Sequence, residues 1–101
     1  MVNVEKAVTA IRSKKLIGYV LVNNDFTTYC AIGALLSYAG VSDKRIHTLH
    51  VISPTVFRIL KKEYGLSEDN VCEVRGMNDS CSEKDRKRKV VSFIKSLNKE
   101  W

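Results

Sequence analysis

Residues Cys30-Ala31-Ile32-Gly33-Ala34-Leu35-Leu36-Ser37-Tyr38-Ala39, closed by Gly40, decide the fold. The segment has almost no polar face, and a helix that is apolar all round belongs inside its domain. Thr27 or Thr28 can cap its start and Gly40 ends it. The residues therefore predict a central core helix over 28–39. Cys30 falls near its first turn, where unpaired backbone N–H groups stabilise a thiolate. It reads either as a small buried hydrophobe or as a reactive cysteine, and burial is the favoured reading.

Three amphipathic helices are expected around this core. Val4, Ala7, Val8 and Ile11 repeat at helical spacing behind the N-cap candidate Asn3, giving a helix over 3–13. Ser53-Pro54 opens the clearest helix, whose apolar stripe is Val56, Phe57, Leu60 and Tyr64. Gly65 stops it, and Leu66 stands ready for a Schellman contact. Ser82-Glu83-Lys84-Asp85 resembles a capping box at the head of a last helix over 83–98. Val90, Phe93, Ile94, Leu97 and Trp101 line its apolar face. The segments 16–22 and 47–52 read as short strands or helical turns. Asn23-Asn24-Asp25, Glu68-Asp69 and Met77-Asn78-Asp79-Ser80 read as turns. The expected fold is mainly α: a single small domain, 1–101, of about four helices around a buried central helix, with a short two-stranded ribbon as an option. A free ribbon edge would offer a route to a homodimer.

At 101 residues the chain has the length of one domain and can bury an ordinary core without staples. An apolar fraction of 45% excludes the disordered class. No apolar run approaches the roughly 20 residues that cross a bilayer. Met1-Val2-Asn3-Val4-Glu5-Lys6 is no secretion leader. Three widely spaced cysteines, Cys30, Cys72 and Cys81, read as free thiols. Together these predict a cytoplasmic protein. The net charge of +6 favours an anionic partner such as nucleic acid, a membrane surface or an acidic protein. Part of that charge has a simpler use. Arg12, Lys14, Lys15, Lys61, Lys62, Lys95 and Lys99 fall near expected helix C-termini, where cations complement the dipole.

A nucleophilic Cys30 would need a base, and the candidates are His47 and His50, with Asn78 or Asp79 to orient the imidazole. Cysteine, histidine, asparagine is the chain order of papain-like enzymes, here at far shorter separations and without their glycine- and tryptophan-bearing surroundings. The structural reading is favoured for Asn78-Asp79 as well: a polar side chain that caps the buried start of the central helix from a distance. Cys30, His47, His50, Cys72 and Cys81 include no tight Cys-x-x-Cys pair, so no metal is expected. No phosphate loop or nucleophile elbow is present, so no cofactor is expected.

Lys84-Asp85-Arg86-Lys87-Arg88-Lys89 sets five cations in the first half of the last helix, where the dipole disfavours them. That cost argues for a use in binding. Lys84, Arg86, Lys87, Arg88 and Lys89 are the primary contact candidates, with Lys44 and Arg45 secondary. No aromatic is interleaved to stack on bases.

Cys30-Ala31-Ile32-Gly33-Ala34-Leu35, preceded by Asp25 and followed by Asn78-Asp79, resembles a set of small uncharacterised proteins of bacteriophages and actinobacteria. They share a cysteine-x-x-glycine-alanine-leucine segment and a downstream asparagine–aspartate pair. This chain has Tyr19 where they often carry tryptophan, and Thr27 and Thr28 where they carry a glycine. The resemblance implies a mostly helical fold and a phage origin, and no activity. The expected function is that of a small basic binding protein, phage-encoded, that occupies a surface on a host macromolecule. Its partner would be a host protein or nucleic acid, not a membrane. The alternatives are nucleic-acid binding through 84–89 and a cysteine-dependent enzyme at Cys30.

Overall fold

The computed structural model describes residues 2–18 and 21–98. The expectations for Tyr19, Lys99 and Trp101 lie outside them. Six helices follow one another: α1 Val4–Arg12, α2 Ala31–Tyr38, α3 Asp43–Thr48, α4 Pro54–Tyr64, α5 Glu68–Ser80 and α6 Glu83–Ser96. The mainly helical architecture agrees with the sequence, but among the described residues the count is six rather than four.

α2 is the core. Ala31 through Leu36 are all buried, and α1, α3, α4 and α5 pack around it. α6 packs chiefly on α1 and α5 rather than on α2. Gly40 closes α2 at φ +98°, with the Val41 N–H bonded to the Leu36 carbonyl at 3.1 Å. α4 forms as its punctuation predicts. The Ser53 hydroxyl accepts from the Val56 N–H at 3.3 Å, and Gly65 adopts φ +75°. The Tyr64 hydroxyl reaches back to the Leu35 carbonyl and pins α4 to α2. Asn3 caps α1 through the Lys6 N–H at 3.1 Å.

Several expectations are corrected. Glu68-Asp69 and Met77-Asn78-Asp79-Ser80 are not turns but the two ends of α5. A reciprocal Ser67–Asn70 capping box pairs the donors that would otherwise be orphaned there. Ser82 makes no such box, because its hydroxyl turns to the Asp85 carboxylate at 3.4 Å. Residues 43–48 form α3 behind the Ser42 cap, so of the two readings of 47–52 the helical one holds for 47–48, and 49–52 is neither helix nor strand. No ribbon forms among the described residues. Leu16 and Val22 each make one isolated bridge to Tyr29, so the edge that a homodimer would use is absent there.

Gly76 stands on the exposed side of α5, where an added Cβ would meet nothing within 4 Å. Alanine removes backbone entropy from the unfolded chain and costs the fold no contact. Gly76→Ala is expected to raise stability by about 0.5–1 kcal/mol, measured by urea denaturation. A loss instead would mean that this face of α5 is covered.

Candidate functional site

Two places gather the residues singled out by the sequence. The first is the buried start of α2. Its N-cap is Cys30, not Thr27 or Thr28: the Cys30 Sγ accepts from the Gly33 N–H at 3.4 Å. The side chain of Asn78, fully buried on α5, completes the end. Its Oδ1 accepts from the Ala31 N–H at 3.0 Å, and its Nδ2 donates to the Ile17 carbonyl at 3.0 Å and to Asp79 Oδ1 at 3.1 Å. Capping from a distance is thus observed, delivered by a helix rather than a turn. Arg75 stands 3.8 Å from the Asp79 carboxylate.

Arg86 belongs to the same network. Its Nε donates to the Asn78 carbonyl at 2.6 Å and its Nη2 to the Cys81 carbonyl at 3.1 Å. A Cβ on Gly18 would lie 3.1 Å from Arg86 Nη2 and 3.9 Å from Asp79 Oδ1, so the Gly18 backbone lies over both. Arg86 is buried, so it is a structural ligand of two carbonyls rather than a surface contact.

These surroundings set the chemistry of Cys30. Burial pushes its thiol up to about 11, and the backbone N–H groups of Gly33 and Ile32 offset this only in part. The charges acting on it are those of Asp79 and Arg75, not of a histidine. His47 lies elsewhere: its Nε2 pairs with Asn24 Oδ1 at 2.9 Å, and its ring meets Phe26 edge-on at 5.9 Å. His47 and His50 line a separate groove with Asn23 and Asn24. The cysteine, the histidines and Asn78-Asp79 are therefore not brought together as a catalytic set. Among the described residues no group of three or more His, Cys, Asp or Glu could hold a metal.

A neutral, buried thiol should resist alkylation. At pH 8 the exposed Cys72 is expected to react freely with iodoacetamide, and Cys30 about 100-fold more slowly, because labelling needs local opening. Peptide mapping by mass spectrometry reads both rates, and equal rates would refute the burial. The same shift gives alkaline sensitivity. Because the folded value is raised, this contribution to stability is whole below the unfolded thiol value, about 8.5. It is lost as pH climbs from there towards 11.

The second place is a groove of about 690 Å³ between the end of α1 and the outer side of α6. Lys84, Lys87, Arg88, Val91, Ser92 and Lys95 line it along α6, and Arg12 faces them from α1. Their spacing of three, four, seven, eight and eleven residues is one face of a helix, running over about 16 Å. The dipole-complementing positions Arg12 and Lys95 thus join the basic run, while Arg86 leaves it. Lys89 is exposed on α6 outside this lining. Lys44 is exposed on α3, and Arg45 lines a different groove with Val41, Ile59 and Lys62. Arg88 already donates to Asp85 at 3.0 Å, and this pairing draws the Asp85 carboxyl below its usual range. The division was present in the sequence: Arg86 lies four residues before the core residue Val90, and Lys95 lies eleven after Lys84.

Neither a protein-family model, nor a curated protein, nor a solved structure matches the chain. No helix among the described residues is long and apolar enough to cross a membrane.

Proposed function

We propose that this is a non-enzymatic binding protein whose α1–α6 groove is its contact surface for an anionic macromolecule of a host cell. The host setting follows from the resemblance to phage proteins. The observation that carries the reading is the convergence of Arg12, Lys84, Lys87, Arg88 and Lys95 from two helices on one concave face. Gathering like charges costs self-repulsion, which an anionic partner relieves. Cys30 supports this reading over an enzymatic one, since its thiol stays protonated and its neighbours serve the helix cap.

A heparin column with a salt gradient tests the surface. Lys87→Glu/Lys95→Glu is compared with Lys61→Glu/Lys62→Glu, which changes net charge equally on α4. The groove variant is expected to elute at clearly lower salt than the α4 variant. Equal elution would mean that net charge alone drives retention, and the reading would fail.

A second reading, nucleic-acid binding at the same groove, is favoured by the linear run of cations along α6. Phosphate contacts would make affinity for duplex DNA fall steeply with salt.

A further inference from the structure

We infer that the loop 23–28 is a two-state strap, latched shut on α3 by His47, and that it gates the groove lined by His47 and His50. The closed loop holds two unfavourable features. Phe26 sits at φ +56°, in the left-handed region, where a bulky side chain crowds its own backbone and glycine or asparagine is the usual occupant. The Thr28 hydroxyl oxygen is buried and, among the described residues, has no hydrogen-bond partner, which costs its desolvation outright. Both costs fall in one short loop. Backbone strain of this kind persists only where the surroundings enforce it, and it collects at clamps and switches.

Few bonds stand against these costs. Within the loop, the Phe26 N–H donates to the Asn23 carbonyl at 3.0 Å. Asn23 Oδ1 accepts from the Thr27 and Thr28 N–H groups at 2.8 and 3.1 Å. The hydrogen bond and the ring contact that tie the tip to α3 both run through His47. Its Nε2 pairs with Asn24 Oδ1, and its ring meets Phe26 edge-on. His47, Asn24 and Phe26 are all exposed, so water competes for the latch and its net strength is modest. Two chain segments, 21–24 and 47–51, line the adjoining groove of about 460 Å³, and the His47–Asn24 pair joins one to the other. When that pair parts, Phe26 leaves the left-handed region, the Thr28 hydroxyl meets water and the groove widens. A small, exposed unit of this kind opens at far lower cost than the core beneath it.

The test is amide exchange with water, read by NMR on the 15N-labelled protein at constant pH and expressed as protection factors. His47→Ala removes the latch and leaves the strain in place. Protection of the Phe26, Thr27 and Thr28 amides is expected to fall about fivefold, while the core amide of Leu35 keeps its own. Phe26→Gly is then added to His47→Ala. The ring contact is already gone in that background, so the second change reports the backbone strain alone. It is expected to restore protection of Thr27 and Thr28 by about fivefold, since glycine takes φ +56° freely. Unchanged protection in His47→Ala would overturn the latch. An equal fall at Leu35 would overturn it too, because His47 would then support the whole domain rather than one strap. No recovery on adding Phe26→Gly would show that the closed loop stores no strain, and the two-state strap would fall.

Discussion

Gly33→Ala is expected to destabilise the domain by about 3 kcal/mol, among the largest effects of a single added methyl. A Cβ on Gly33 would lie 1.8 Å from the Leu21 carbonyl oxygen and 2.8 Å from its carbon. Both are backbone atoms, so no side chain can swing aside. The same oxygen accepts from the Cys30 N–H at 3.2 Å, which fixes residues 21–22 across the start of α2. Relieving the clash means lifting that crossing and leaving the Cys30 N–H unpaired. Alanine's better helix propensity, about 1 kcal/mol, offsets part of the loss. Thermal denaturation followed by circular dichroism should show a midpoint lower by more than about 10 °C. An unchanged midpoint would show that residue 21 does not cross α2 at this point.

Asn78→Leu is the second large effect, of about 2–5 kcal/mol. It leaves the Ala31 N–H and the Ile17 carbonyl without the partners they have in the native interior, each at about 1–3 kcal/mol. Asn78→Asp separates the two roles. It keeps an acceptor for the Ala31 N–H but removes the donor to Ile17 and sets a second carboxylate beside Asp79. Burial, the Ile17 oxygen and Asp79 all raise the new carboxyl in the folded state. Its deficit is therefore expected to be full at neutral pH and to shrink on acidification, as the protonated acid regains a donor. Urea denaturation at pH 7 and pH 5 reads the sign. A deficit that grows at pH 5 would contradict the geometry at Ile17.

Some of this fold was legible because its signals are local. Ser53-Pro54 and Gly65-Leu66 bracket α4 within a few residues of the bonds they make. The uninterrupted apolar run of α2 could only be buried. α5 was hidden because its evidence is tertiary. It buries only Val71, Val74 and Asn78, and it contains Gly76 and the turn-forming Asn78-Asp79. Those residues are tolerated in a helix because Asn78 serves α2 and Ile17, elements more than 40 residues away in the chain. The basic run was visible as charge, but its purpose was divided by helical phase. One turn of α6 sends Arg86 inward, and Lys84, Lys87 and Arg88 line the groove. Arg12 joins them only because α1 packs on α6, which no spacing along the chain reports.

That packing of α1 on α6 also bears on synthesis. Val2 and Asn98 clasp each other by two hydrogen bonds, the Val2 N–H to Oδ1 at 3.0 Å and Nδ2 to the Val2 carbonyl at 2.6 Å. Val90, Val91 and Ile94 of α6 lie in the same core as Ala7, Val8 and Ile11 of α1. The side of α1 that faces α6 is thus completed only when α6 has been made, so it stays uncovered while the elements between the two are synthesised. A nascent chain halted before α6 would carry an open core, and would be the form most exposed to proteases and to chaperone capture.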